Sequence, residues 1–109
     1  MRVPYLSVND NVTNVMKKMG YRIVLCDVDS QDWNGLTPEQ SMDRYNAAGA
    51  SGNGHIPLMH ETVKTTPSEL APLVIAWAKE NGLEMVTVAE CLGDNRPYVK
   101  NSAERTDTC

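Results

Sequence analysis

Apolar residues recur at Val12, Val15, Met16 and Met19, the i, i+3, i+4, i+7 spacing of one helical face. Asn9 or Asp10 offers a cap at the start, Lys17 and Lys18 fall in the last turn, and Gly20 suits a left-handed close. The run Tyr21 to Cys26 is apolar and β-branched, the pattern of a strand buried on both faces. Asp27 to Gly35 is polar and turn-rich and predicts a loop. Thr37-Pro38-Glu39-Gln40 opens a second helix, with Thr as cap, Pro at the first helical position and Gln three residues after the cap. It runs to about Ala48 and dissolves in the glycine-rich stretch 49–54. His55 to His60 reads as a short strand that Pro57 moves to a sheet edge. Thr66-Pro67-Ser68-Glu69 repeats the capping signature and opens a third helix with Leu70, Leu73, Val74, Trp77 and Ala78 on one face, its first turn bent by Pro72. Asn81-Gly82 ends that helix, and Glu84 to Ala89 predicts a last strand.

Strands near 22–26, 56–60 and 84–89 thus alternate with helices, and Arg2-Val3-Pro4-Tyr5 reads as the end of a preceding strand. Such alternation predicts an α/β fold of about four parallel strands and three helices, with the helices covering the sheet faces. A (β/α) barrel takes ~250 residues, so a chain of 109 residues reads as the second half of one. The folded part is expected over residues 1–94, with 95–109 as a polar tail.

Composition narrows the functions. Ten Lys+Arg against 14 Asp+Glu give a formal net charge of −4 without any basic run, which argues against nucleic acid or an anionic membrane as partner. With 41% hydrophobic and 22% charged residues the chain has the makings of one core. Its longest apolar run, Leu73 to Ala78, is far short of the roughly 20 residues of a membrane span. Asn9, Asp10, Asn11 and Asn14 interrupt any signal-peptide pattern near the start. Three cysteines allow at most one intrachain disulfide. Cys26 reads as a buried small hydrophobe, while Cys91 and Cys109 leave a bridge to another segment open. With the sequon Asn11-Val12-Thr13, they point to a secreted origin.

Function in barrels gathers past the carboxyl ends of the strands. There the chain places Arg2, Pro4 and Tyr5, then Asp27, Asp29, Asp32 and Trp33, then His60 and Glu61, then Glu90 and Cys91. Singly each has a plain structural reading: Asp29 and Asp32 as turn residues, His60 as a core histidine, Trp33 as a lid. Together they load every strand end with catalytic residue types. A complete zinc site is not expected, because catalytic zinc takes three protein ligands and the two histidines, His55 and His60, fall on opposite faces of a strand. The glycine-rich stretch lacks the Lys-Ser/Thr ending of a phosphate loop and reads as a flexible loop.

Arg2-Val3-Pro4-Tyr5 resembles the R-x-P-Y motif of polysaccharide deacetylases, the NodB-homology domain of carbohydrate esterase family 4. Asp29-Ser30-Gln31-Asp32-Trp33 resembles the family's D-x-x-D-W motif and Leu58-Met59-His60 its L-x-H motif, in the same order. The flanks Ser7 to Asn11, Gly54 to Glu61 and Val86 to Gly93 are similar to fungal chitin deacetylases in particular. The resemblance implies the C-terminal half of a distorted (β/α) barrel and hydrolytic N-deacetylation of N-acetylglucosamine units in chitin or chitooligosaccharide. His60 would be the general acid that protonates the leaving amine, and Asp29 would hold its ring. Arg2 would hold the catalytic base, the Tyr5 N–H would stabilise the oxyanion, and Trp33 and Leu58 would wall the acetyl pocket. Val3 stands where the family often has Pro. The family's base and metal ligands lie in motifs that precede R-x-P-Y and do not occur in this sequence. The resemblance therefore implies zinc or another divalent metal held by residues outside this chain, and a fragment that is inactive without the N-terminal half of the barrel. It also implies a secreted or cell-wall location, and a bridge from Cys91 to that N-terminal part. Two alternatives stay open: a non-catalytic carbohydrate-binding or interaction module, and a deacetylase of peptidoglycan or acetylxylan.

Overall fold

The computed structural model describes residues 1–52 and 54–98; the expectations for Cys109 and for the tail beyond residue 98 lie outside the described residues. The fold is mixed α/β and falls into two compact units, Leu25–Met85 and Met1–Val24 with the described residues from Val86 to Tyr98.

In the unit Leu25–Met85, β1 (Val28–Asp29) and β2 (Pro57–Leu58) pair in parallel, Val28 opposite Pro57 and Asp29 opposite Leu58. Backbone bonds from Asp27 N–H to the Ile56 carbonyl (3.1 Å) and from Ser30 N–H to the Leu58 carbonyl (3.3 Å) flank the pair. Pro57 sits on the edge-like second strand, as its missing donor requires. Two helices, α2 (Pro38–Ala48) and α3 (Ala71–Glu80), belong to this unit. Val28, Tyr45, Leu70 and Val74 form the core, with Met42, Met59 and Trp77 packed against it. The Tyr45 and Trp77 rings meet edge to face, centroids 5.8 Å apart, the arrangement that ring quadrupoles favour.

Local chemistry explains both helix starts. At α2 the Thr37 hydroxyl accepts from Gln40 N–H (3.3 Å) while the Gln40 side-chain carbonyl accepts from Thr37 N–H (3.0 Å), the reciprocal box expected from the sequence. The third helix does not open on a capping box. Residues Thr66–Leu70 form a wide π turn that leads into α3 without a side-chain cap, because the buried Thr66 hydroxyl donates to Asp32 instead. Leu70, Val74 and Ala78 face the core, whereas Leu73, expected beside them, faces solvent.

The other unit begins with a short 3-10 turn, Pro4–Leu6, in which Tyr5 (φ 54) and Leu6 (φ 51) hold left-handed backbone. Helix α1 (Asp10–Lys18) follows, with the Asn9 side chain accepting from Val12 N–H (2.9 Å) and Gly20 (φ 80) after its end. Helix α4 (Val88–Cys91) carries a Thr87–Glu90 capping box, and Arg22 pairs with Asp94 at 3.0 Å.

Three strand expectations are corrected. Residues 1–5 end in the 3-10 turn rather than a strand, since Leu6 N–H and Ser7 N–H turn back to the Val3 and Pro4 carbonyls. In the run Tyr21 to Cys26 the Tyr21 N–H turns back to the Met16 carbonyl, and Arg22 O and Val24 N–H bond with Met1 rather than with a strand of the sheet. Tyr21 and Leu25 stay half exposed, so this run is no doubly buried strand. Glu84 to Ala89 is not a strand either: Met85 and Val86 are exposed and Thr87 already caps α4. Among the described residues the sheet therefore has two strands, not four. Cys26 is half-buried rather than buried, and Cys91 is exposed; among the described residues both are free thiols.

Candidate active site at the ends of β1 and β2

Alternation along the two strands aims the site. Val28 is buried, and the residues in phase with it, Ser30 and Asp32, are buried too. On β2, Leu58 is buried and His60 follows in the same phase. Gln31 in left-handed backbone (φ 55) reverses the chain into a 3-10 turn, Asp32–Asn34, which folds Asp32 inward.

Asp32 and His60 meet there. The His60 Nδ1–H donates to Asp32 Oδ1 at 2.8 Å, and the His60 backbone N–H donates to Oδ2 at 2.6 Å. The Thr66 hydroxyl adds a bond to Oδ2 (2.7 Å), and Trp33 N–H adds one to Oδ1 (2.8 Å). The Asp32 side chain is 2% exposed, that of His60 31%. Burial by itself would raise the Asp32 pKa; the His60 ring, the His60 N–H, the Thr66 hydroxyl and the Trp33 N–H outweigh it and hold the carboxyl below its ordinary range. A carboxylate on Nδ1 selects the tautomer and leaves Nε2 as the nitrogen that can exchange a proton with a ligand. Tyr45, buried in the same core, has its phenol pushed up to about 12 by burial and by the charges of Asp32 and Asp29. It stays neutral.

One expectation for a site residue is corrected. Asp32, not Asp29, holds the His60 ring. Asp29 Oδ1 instead accepts from Gln31 N–H (2.9 Å), and both its oxygens lie 3.3 Å from the Trp33 indole nitrogen. The structure thus gathers His60, Asp32, Asp29, Trp33 and Leu58 at one strand end, with Leu58 buried and Trp33 58% exposed. Arg2 and Tyr5 belong to the other unit. Arg2 is exposed there, and Tyr5 is 98% exposed. Glu61 is exposed, and Glu90 is spent on the α4 cap. Thr66 joins the site without any signal in the sequence, because its position in a T-x-x-E pattern reads as a helix cap.

A second histidine–carboxylate pair lies elsewhere in this unit. His55 Nδ1 is 2.7 Å from Asp27 Oδ2 and Nε2 is 2.9 Å from the Gly49 carbonyl, while Ile56 N–H donates to Asp27 Oδ1 at 2.6 Å. Each histidine thus has its own carboxylate. Among the described residues no group of three His, Cys, Asp or Glu side chains could hold a metal ion. Esterases of family 4 are generally metal-dependent, but the described residues of this chain do not by themselves fit a metal.

No protein-family profile matches the chain. It is 33% identical to a chitin deacetylase of Arthroderma benhamiae over 97 residues, 86% of this chain and 26% of that protein. The structure of the chitin deacetylase from Colletotrichum lindemuthianum superposes with a TM-score of 0.78 at 33% identity, over 86% of this chain and 44% of that one. A family 4 carbohydrate esterase from Streptomyces lividans, solved with acetate, gives a TM-score of 0.68 at 30% identity over 80% of this chain and 43% of the other. Peptidoglycan deacetylases are also among the relatives. The chain spans less than half the length of each of these proteins. With that fold, the ordered motifs and these relatives in agreement, the chain belongs to the polysaccharide deacetylases of carbohydrate esterase family 4.

Proposed function

We propose that this chain supplies the proton-donating side of an N-deacetylase acting on N-acetylglucosamine units of chitin or chitooligosaccharide. The observation that carries the reading is the His60 ring, fixed through Nδ1 by buried Asp32 and without a partner at Nε2 among the described residues, with the exposed Trp33 donating its backbone N–H to the same carboxylate. Amide hydrolysis needs a proton on the departing amine when the C–N bond breaks, and an imidazole is suited to give it near neutral pH. Asp32 offsets the charge of the imidazolium before transfer and keeps the ring aimed. Trp33 and Leu58 form the wall for the acetyl group. Arg2 and the Tyr5 N–H take the roles of base-holder and oxyanion donor. The base and a zinc or other divalent metal come from outside these residues. An extracellular or cell-wall setting follows from such substrates, and among the described residues no helix is long and apolar enough to cross a membrane.

Replacing the matching segment of the Colletotrichum lindemuthianum enzyme by this chain tests the reading. The chimera is expected to release acetate from N-acetylchitooligosaccharides, and His60→Ala is expected to lower turnover by roughly 10²–10⁴-fold. Normal turnover in His60→Ala would refute the role of His60. A folded chimera that binds the oligosaccharide without releasing acetate would favour a carbohydrate-binding module. Activity on peptidoglycan or acetylxylan alone would reassign the substrate, a choice that the peptidoglycan-acting relatives keep in view.

A further inference from the structure

We propose that Asp29 is a positioning residue: its carboxylate fixes the orientation of the Trp33 indole and so sets the wall that this ring offers to an N-acetylated sugar. The proposal rests on the deacetylase reading for the identity of the ligand, and on geometry alone for the tether. Both oxygens of Asp29 lie 3.3 Å from Trp33 Nε1. An ionised carboxylate only accepts and an indole N–H only donates, so turning the ring half a turn about its Cβ–Cγ bond would strip both of this bond. Packing covers less than half of the residue, since Trp33 is 58% exposed. The backbone of the same residue is held separately, by Trp33 N–H on Asp32 Oδ1 at 2.8 Å. The two carboxylates of the D-x-x-D-W segment therefore divide the work, one on the acid and the Trp33 backbone, the other on the ring.

Asp29 is itself well anchored. It ends β1 opposite Leu58, its Oδ1 accepts from Gln31 N–H at 2.9 Å, and its carbonyl accepts from Arg44 Nε at 3.3 Å. An aromatic ring tied to a strand end presents one face before a ligand arrives, and less rotamer freedom is lost on binding.

The test uses the full 109-residue chain. It follows the two indole N–H signals by NMR, assigned with Trp33→Phe, together with binding of N-acetylchitopentaose. In Asp29→Ala the Trp33 indole proton should exchange faster with solvent, and sugar affinity should fall about three- to tenfold. Asp29→Asn, which keeps an acceptor oxygen and the turn bond to Gln31, should restore most of both. The His60 Nδ1–H signal, held on Asp32, should persist in both variants and be lost in Asp32→Asn. Wild-type indole exchange in Asp29→Ala would overturn the tether, and so would loss of the His60 Nδ1–H signal in Asp29→Asn. Loss of sugar binding in Trp33→Ala with full binding in Asp29→Ala would overturn the link from tether to ligand. If the parent and Trp33→Ala bind alike, or neither binds, the deacetylase reading of this wall fails, while indole exchange still decides the tether.

Discussion

Asp32 Oδ1 and Oδ2 receive His60 Nδ1–H, His60 N–H, Thr66 Oγ1–H and Trp33 N–H, so an amide in its place would turn its NH₂ toward at least one donor. Asp32→Asn is therefore expected to lower stability by about 2–4 kcal/mol, read from urea unfolding, and to release the His60 ring. An unchanged unfolding midpoint would contradict the bonding described. The His55 clasp makes a separate prediction about pH. Both ring nitrogens face acceptors, the Asp27 carboxylate and the Gly49 carbonyl, and only the imidazolium can donate to both. The bond to Asp27 is the main cause that raises the His55 pKa, the Gly49 carbonyl and the Asp27 charge add to it, and burial opposes it. For Asp27, burial raises the pKa, but the bonds from His55 and Ile56 and the His55 charge outweigh it and lower the net value. Stability from His55 is complete below its ordinary value of 6.5 and is lost as pH rises through the higher folded value. Stability from Asp27 is complete above 3.8 and is lost as pH falls through the lower folded value. The clasp is thus strongest between about pH 4 and 6.5. Thermal melts should show that His55→Gln costs most in this window and least at alkaline pH; a pH-independent cost would remove the charge from the account.

At the scale of elements, each helix start and each strand obeys a different range of interactions. The boxes Thr37–Gln40 and Thr87–Glu90 close within one turn, and Thr37→Ala should cost about 1 kcal/mol in chemical unfolding. Thr66 looks the same in sequence and behaves otherwise, because its partner Asp32 is 34 positions away. Thr66→Val should accordingly cost about 1–3 kcal/mol and disturb the His60 ring, while Thr66→Ser keeps both. If Val and Ser behave alike, the hydroxyl is not what holds Asp32. The T-x-x-E signal before α4 is present in the sequence and conflicts with a strand over Glu84 to Ala89. The β-branched run argues for the strand, and in the folded chain the local cap prevails. Strands need a neighbour to bond, and among the described residues Met85 and Val86 find none and stay exposed.

For the whole molecule, apolar exposure is the dominant fact. The face of α1 read from the sequence is only partly covered: Val12 and Met16 are half-buried, Val15 and Met19 are 51% and 59% exposed, and no residue of that helix is fully buried. Tyr21, Val86, Val88 and Leu92 are exposed in the same unit. Exposed apolar surface of this kind associates in water. Sedimentation velocity is expected to show association of the 109-residue chain that grows with concentration, and Val15→Lys with Met19→Lys should reduce it. A monomer at every concentration, with a sharp cooperative melt, would show that this segment is stable as it stands.

The sequence by itself determined what depends on neighbours a few residues away: the Asn9 and Thr37 caps, the reach of α1 and α2, the glycine after α1, and the ordered motifs that name the family. It also marked His60 and the strand end that carries it. Only the tertiary structure decided which aspartate serves His60, since the two groups are 28 positions apart and their meeting depends on the parallel register of β1 and β2. Part of that choice was readable, because Asp32 and not Asp29 is in phase with the apolar Val28. The turn at Gln31 that swings Asp32 inward, the diversion of the Thr66 hydroxyl, and the short reach of the strands were not. Each follows from a partner brought close in space, and a pattern of period two or 3.6 carries no information about which distant partner that is.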